Sequence, residues 1–291
     1  MDSLASVLGR GLALVDARAG TDLERTVRAS VKAAPALAPD RRARARMFLA
    51  GWLLGSRRVR RPLAVRVRGP YGEREFVLPD SVAMAVLEEV FSWNEYAVDL
   101  PHPPRRILDL GSNVGASILF FALRYPEAQI VGVEASPKLF GVLRRNVGDL
   151  PNVTLIQAAV SSTDEPIRFF EGNSSWEGST RVSGWVREEA ATEVAAVTLD
   201  ELIADGGADL VKIDIEGGEF DVLPASRRLA EVPVVLGEIH AAPGTPEAEA
   251  VLALFEGAEL VSTDPGPANS QWTTVFSAVR RDRVPAVSAR G

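Results

Sequence analysis

Apolar residues recur every three or four positions from about Leu4 to Leu54, with Leu23, Val27 and Val31 on one stripe and Met47, Leu49, Trp52 and Leu53 on another. That period predicts two or three helices, broken at Pro35 and Pro39, with Asp40 as N-cap and Gly55 as stop of the last one. LAVRVRG and REFVLPD then alternate apolar with polar around GPYG, the pattern of a β-hairpin. One more helix, SVAMAVLEEVFSW, leads into a proline-rich loop, PHPP.

Beyond Pro104 the pattern changes. Unbroken apolar runs (RILDLG, QIVGVEA, VTLIQAAV, LVKIDIE, VVLGEIH) alternate with helical stretches (ASILFFALRY, PKLFGVLRRNV, EFDVLPASRRLA, EAEAVLALFEG). Strands that are apolar on both faces and separated by helices predict a mostly parallel sheet covered on both sides, wound right-handed into a Rossmann-like α/β domain. AELVSTD and QWTTVFSAVR follow one another with no helix between, so the seventh and last strand is expected to be antiparallel. An insertion from about Glu165 to Ala196 interrupts the alternation. The expected organisation is an N-terminal helical and hairpin extension over residues 1–100, serving as a substrate cap or a homodimer interface, and a main domain over residues 101–291.

Composition narrows the chemistry. With 46% hydrophobic and 24% charged residues, the 291-residue chain can bury a core. Its net charge of −7 is uneven: the first hundred residues carry 16 basic and 12 acidic side chains, the rest 16 and 27. An acidic main body is a poor long-range partner for nucleic acid. The ten arginines from Arg41 to Arg68 include no acid, but those of the third helix and the hairpin alternate with apolar positions, as a solvated face does. There is no cysteine, which excludes disulfides, thiolate zinc sites, iron–sulfur clusters, cysteine nucleophiles and cluster-based radical chemistry. No basic leader is visible and the longest apolar stretch, Met47 to Gly55, has nine residues, so a soluble, cytoplasmic protein without a membrane partner is expected. Only three lysines (Lys32, Lys138, Lys212) stand beside 29 arginines, a bias that fits a GC-rich genome.

ILDLGSNVG puts Asp109 and Gly111 at the end of the first core strand and Gly115 at the start of the next helix. Glycines let backbone N–H groups approach a ligand, and the helix N-terminus adds its positive pole. The dinucleotide pattern G-x-G-x-x-G is absent: Gly111 and Gly115 are separated by three residues, Ser112, Asn113 and Val114, Asn113 stands where the middle glycine would be, and an acid precedes the turn. A carboxylate there repels pyrophosphate and suits an ammonium, such as the amino-acid end of S-adenosylmethionine. Glu134, at the end of IVGVEAS and followed by Ala135 and Ser136, can accept from both hydroxyls of a ribose. Nucleoside plus ammonium points to S-adenosylmethionine as the cofactor.

ILDLGSNVGAS, VGVEASP, VTLDELI, VKIDIEGGEFDVL and the Glu-x-His of LGEIH together resemble the FkbM-type methyltransferase family, over about Ile107 to His240. The resemblance implies a class I methyltransferase fold and methyl transfer to oxygen, often on a sugar or polyketide-type natural product. It also implies that Asp109, Gly111, Asn113 and Gly115 surround the methionine moiety, that Glu134 meets the ribose, and that Ala158 and Ala159 flank the adenine.

Methyl transfer from a sulfonium is a direct displacement, so one base suffices when the acceptor is a hydroxyl. Of the two histidines, His102 lies in the PHPP loop and His240 ends a core strand at the edge where α/β sheets bind ligands. Glu238 shares the strand face of His240, as Asp214 and Glu216 share theirs. If the two strands are neighbours, Asp214 and Glu238 meet beside the cofactor. Three readings stand for this cluster. His240 is the general base, oriented by the carboxylates; or Asp214, Glu238 and His240 bind a divalent metal that acidifies the hydroxyl, a reading ranked below the first; or Glu216 and Glu219 cap the following helix and His240 merely packs. Trp176 in the insertion, Tyr96 in WNEY and Glu216 are the candidate contacts to a small-molecule acceptor, with a nucleic-acid methyltransferase or a non-catalytic cofactor-binding protein as alternatives.

Overall fold

The computed structural model describes residues 20–170, 191–263 and 273–284. The chain divides into two compact units, Met1–Trp93 and Asn94–Gly291. In the first, helices α1 (Gly20–Leu37), α2 (Arg41–Gly55) and α3 (Val82–Ser92) accompany a hairpin of β1 (Leu63–Gly69) and β2 (Gly72–Leu78). The Asp40 carboxylate accepts from the Ala43 N–H at 2.7 Å and starts α2 where its sequence predicts. Helix α1 runs through Pro35, because in the last turn a proline forfeits a single ladder bond; the break falls after Leu37, at Ala38 and Pro39. Arg41, Arg42, Arg44 and Arg46 of α2 are exposed while Ala43 and Met47 are buried, as expected of a solvated basic face.

The second unit opens with β3 (Arg106–Leu110), α4 (Ala116–Arg124), β4 (Gln129–Glu134), α5 (Pro137–Val147), β5 (Val153–Gln157), β6 (Ala159–Ser161) and β7 (Ile167–Phe170). It continues with β8 (Ala191–Val194), β9 (Ala196–Thr198), α6 (Leu199–Ala204), β10 (Leu210–Ile213), α7 (Glu219–Ala225), β11 (Val234–Ile239), α8 (Pro246–Leu252), β12 (Glu259–Thr263) and β13 (Thr274–Val279). Seven strands form one sheet in the order β12, β13, β11, β10, β3, β4, β5. β13 runs antiparallel to both its neighbours, and the other pairs are parallel. This is the doubly wound α/β architecture with an antiparallel last strand that the alternation of apolar runs and helices predicts.

Leu108, Leu110, Val131, Val133, Val211, Ile213, Val235 and Ile239 form the buried layer of the sheet. The run VTLIQAAV is not one strand. Ala158 N–H donates to the Glu134 carbonyl and Ala159 N–H to the Ala195 carbonyl, so the chain leaves the sheet and β6 pairs with β9. The insertion is bounded by the antiparallel pair β7 and β8, and Trp176 lies outside the described residues. No helix among the described residues is long and apolar enough to cross a membrane.

Candidate functional site

From β3 the chain adds β4 and β5 on one side of the sheet, then returns to add β10 and β11 on the other. Loops leaving β3 and β10 therefore diverge, which opens a crevice at the carboxyl ends of the strands. The crevice encloses about 580 Å³ of open space, its solvent mouth included. Of the residues expected to hold the cofactor, Gly111, Asn113, Glu134, Ala135, Ala158, Ala159 and Asp214 line it, and so does Glu216. Leu139, Val160 and Phe169 supply apolar wall that the sequence motifs do not mark, with Ile215 beside them.

The turn after β3 is tight. Gly111 has φ 79°, and a Cβ on it would lie 1.8 Å from the Asp214 carbonyl oxygen, so no other residue fits. Gly237 on β11 stands in the same relation to β10 from the other side, its virtual Cβ 1.8 Å from the Ile213 carbonyl oxygen. Asn113 adopts a left-handed φ of 50° and donates its N–H to Glu134 Oε2 at 2.8 Å, while Ser136 N–H donates to Oε1 at 2.8 Å. Burial pushes the Glu134 carboxyl up to about 7, against the pull of these two hydrogen bonds. Ser112, Gly115 and Ser136 stand behind the wall: the Ser112 hydroxyl donates to the Asp109 carbonyl, Gly115 caps α4 and the Ser136 hydroxyl caps α5.

Asp109 does not reach the crevice. Its side chain is fully buried; Oδ2 accepts from the Ser117 hydroxyl at 2.7 Å, and Oδ1 faces the Lys212 ammonium at 3.4 Å. Tyr96 is buried with its ring 5.4 Å from Lys212 Nζ, an anchoring rather than a crevice-facing position. Burial, then the carboxylates of Glu95, Asp214 and Glu238, holds its phenol well above the ordinary range.

β10 and β11 are neighbours, with Ile213 opposite Gly237, so Asp214 and Glu238 meet as expected. One ligand atom from each of Asp214, Glu238 and His240 lies within 4.8 Å of the others. These three could converge on a cation, although Lys212 already stands 3.6 Å from Asp214 Oδ2. Burial, reinforced by Asp214 and Glu95, pushes the Glu238 carboxyl well above its usual range.

His240 is gripped at both ring nitrogens. Glu219 Oε1 accepts from the His240 backbone N–H at 2.7 Å and lies 2.8 Å from Nδ1, while its Oε2 accepts from Gly217 N–H at 3.0 Å. Glu216 Oε2 sits 3.1 Å from Nε2, with Asp214 Oδ1 at 3.9 Å. Burial works to lower the imidazole pKa, but Glu216 and Glu219 outweigh it and hold the ring well above 6.5. The ring therefore keeps its proton to higher pH than its type alone suggests. Burial raises the Glu216 carboxyl; at Glu219 the charge and hydrogen bonds of His240 overcome burial and lower it.

Two central residues escape motif reading. Glu219 looks like a helix-capping acid, and it is the buried carboxylate that fixes His240. Lys212 counts in the composition as one of three lysines beside 29 arginines, although a lysine inside the apolar run LVKI is itself a signal of a buried counter-ion.

Residues 109–260 match the family model described as the methyltransferase FkbM domain. The 2-O-methyltransferase NoeI of Sinorhizobium fredii is 29% identical over 145 residues, 44% of this chain and 60% of that protein. The methyltransferase sdnD of Sordaria araneosa is 28% identical over 176 residues, covering 48% of this chain and 68% of its own. The match to NoeI therefore spans about three-fifths of that protein's length. Among solved structures, Aeropyrum pernix fibrillarin with bound S-adenosylmethionine aligns with 64% of this chain and 72% of its own at 16% identity and a TM-score of 0.42.

Proposed function

Because the chain belongs to the FkbM methyltransferase family, we propose that it moves a methyl group from S-adenosylmethionine to a hydroxyl of a small molecule, of sugar or polyketide type. One observation carries the reading: a single crevice has a ribose-accepting carboxylate, Glu134, on one wall, and on another the Asp214 and Glu216 pair, with His240 directly behind it. The cradle at Gly111, where a side chain would strike Asp214, suits a ligand that touches bare backbone. The cofactor, when bound, supplies an electrophilic methyl on a sulfonium. Glu134 accepts from the ribose hydroxyls, Ala158, Ala159 and Phe169 flank the base, and Asp214 with the Gly111 turn takes the amino-acid end. The ammonium goes to Asp214 because Asp214 lines the crevice, whereas Asp109 is fully buried behind it.

At the acceptor end, Glu219 orients His240 through Nδ1 and leaves Nε2 facing Glu216. An acceptor hydroxyl that takes the place of Glu216 removes one of the two charges holding the ring as a cation. Its pKa then falls toward the range where Nε2 takes the hydroxyl proton, and Glu219 stabilises the imidazolium that forms. NoeI is named a 2-O-methyltransferase, which supports oxygen as the acceptor atom. The test is calorimetry with S-adenosylhomocysteine against NAD, followed by methyl-labelled cofactor offered with hydroxylated metabolites and mass spectrometry to locate the label. Binding of NAD alone, or label on nitrogen, overturns the reading.

A further inference from the structure

Lys212 is among the largest fully buried side chains, in a chain where 29 of 32 basic residues are arginine. The register accounts for its surroundings. Lys212 on β10 lies directly opposite Asp109 on β3, and paired residues of parallel strands present their side chains to one face; Asp214 follows two residues later on the same side. The ammonium donates to the Gly111 carbonyl at 2.7 Å, with the Leu110 carbonyl at 3.4 Å. It stands 3.4 Å from Asp109 Oδ1 and 3.6 Å from Asp214 Oδ2, under the Tyr96 ring. Four oxygens spread around a point suit a compact ammonium with three rotatable donors; a planar guanidinium fork needs its acceptors in one plane and more room.

This ammonium touches the turn that lines the crevice and the carboxylate on the crevice wall, yet it does not itself line the crevice. We propose that Lys212 is a positioning residue for methyl transfer: it fastens the Gly111 turn to Asp214 and compensates their charge, so that the wall receiving the amino-acid end of the cofactor is assembled before the ligand arrives. The proposal rests on the methyltransferase reading. Asp109 is then the internal counter-ion of Lys212 and braces Ser117 on α4, which gives a physical role to the acid of the turn without contact to ligand. Without Lys212, Asp109 would be a buried carboxylate facing Asp214 with nothing between them.

The small number of lysines makes a direct test available on the intact protein. With lysine labelled at ¹⁵Nζ, three ammonium resonances are expected; Lys32 and Lys138 are exposed and exchange rapidly, while Lys212 is protected. Saturation with S-adenosylhomocysteine should shift the Lys212 resonance and leave Lys32 unmoved. A Lys212 resonance that stays in place at saturation overturns the proposal. Variants give the second arm. K212M is expected to lower the melting temperature, and D109N/K212M to recover most of it by removing the orphaned charge, since asparagine still accepts from Ser117. If Lys212 positions Asp214, the double variant still binds S-adenosylhomocysteine about tenfold more weakly than wild type. Wild-type affinity in the refolded double variant would reduce Lys212 to a structural lysine and refute the proposal. Should the wild-type protein itself fail to bind, the methyltransferase reading falls, and this proposal with it.

Discussion

If Glu134 accepts from the ribose, as proposed, cofactor binding is coupled to pH. Burial holds the Glu134 carboxyl at about 7, whereas in an unfolded chain it titrates near 4.5. Two ribose hydroxyls donate best to an ionised carboxylate, so binding favours the charged form and must expel whatever proton the group carries. With a pKa of about 7, roughly one-eleventh of the protein is ionised at this group at about pH 6 and roughly ten-elevenths at about pH 8. Affinity for S-adenosylhomocysteine should therefore rise about tenfold over that interval, about 1.4 kcal/mol. Calorimetry at about pH 7 in two buffers of different ionisation enthalpy should also detect about half a proton released per ligand bound. The Glu216 and Glu219 carboxylates, against the effect of burial, hold the His240 pKa above that of a free imidazole. The same group works against the fold in the other direction. Between the unfolded value and about 7 the native state binds more protons than the unfolded one, so its contribution to stability falls as pH rises through that range. E134Q should bind weakly at every pH and release no proton. An affinity that stays level from about pH 6 to about pH 8, with no proton release, would refute the assignment of Glu134 to the ribose.

Three further outcomes follow from the site. H240A should lose about 10²-fold or more in turnover while keeping wild-type affinity for S-adenosylhomocysteine, and undiminished turnover would exclude His240 as the base. E219Q removes the charge at Nδ1 but keeps a hydrogen-bonding group, so the His240 titration followed by NMR, one of only two histidine signals, should move down from its raised value, with turnover falling about tenfold or more; an unmoved titration would count against Glu219 as its holder. G111A places a methyl 1.8 Å from the Asp214 carbonyl in a left-handed backbone, and thermal or urea unfolding should report a loss of more than about 2 kcal/mol together with lost ligand binding; a variant as stable as wild type would contradict the close approach described for this turn.

Most of the fold is legible because it rests on local pattern. The run PKLFGVLRRNV is α5 from end to end, and Asp40 caps α2 at the residue its chemistry selects. Continuous apolar strands disclose a sheet buried on both faces, and the missing helix before the last strand discloses its reversal. The crevice is half legible. Gly111, Glu134 and the 214–216 carboxylates stand on its wall because strand ends and glycine turns announce themselves in sequence. What stays hidden depends on contacts between distant segments: Lys212 meets Gly111 across 101 residues, and Glu219 meets His240 across 21. Nothing local separates a capping glutamate from one that grips a histidine. Nor does any local signal tell that the acid before the glycine turn faces inward, because its partner comes from the neighbouring strand.

The carboxyl tip of β10 is seated in a slot. On one side Gly111 and on the other Gly237 leave no room for even a methyl group against its last carbonyls. Two positions far apart in the chain are thereby tied to a common requirement by the thickness of a single backbone segment. Any chimera with a relative, if it exchanges one of these flanks and spares the other, must import a bare backbone at the junction. A recombination breakpoint between the two is tolerated only where both parents meet that demand.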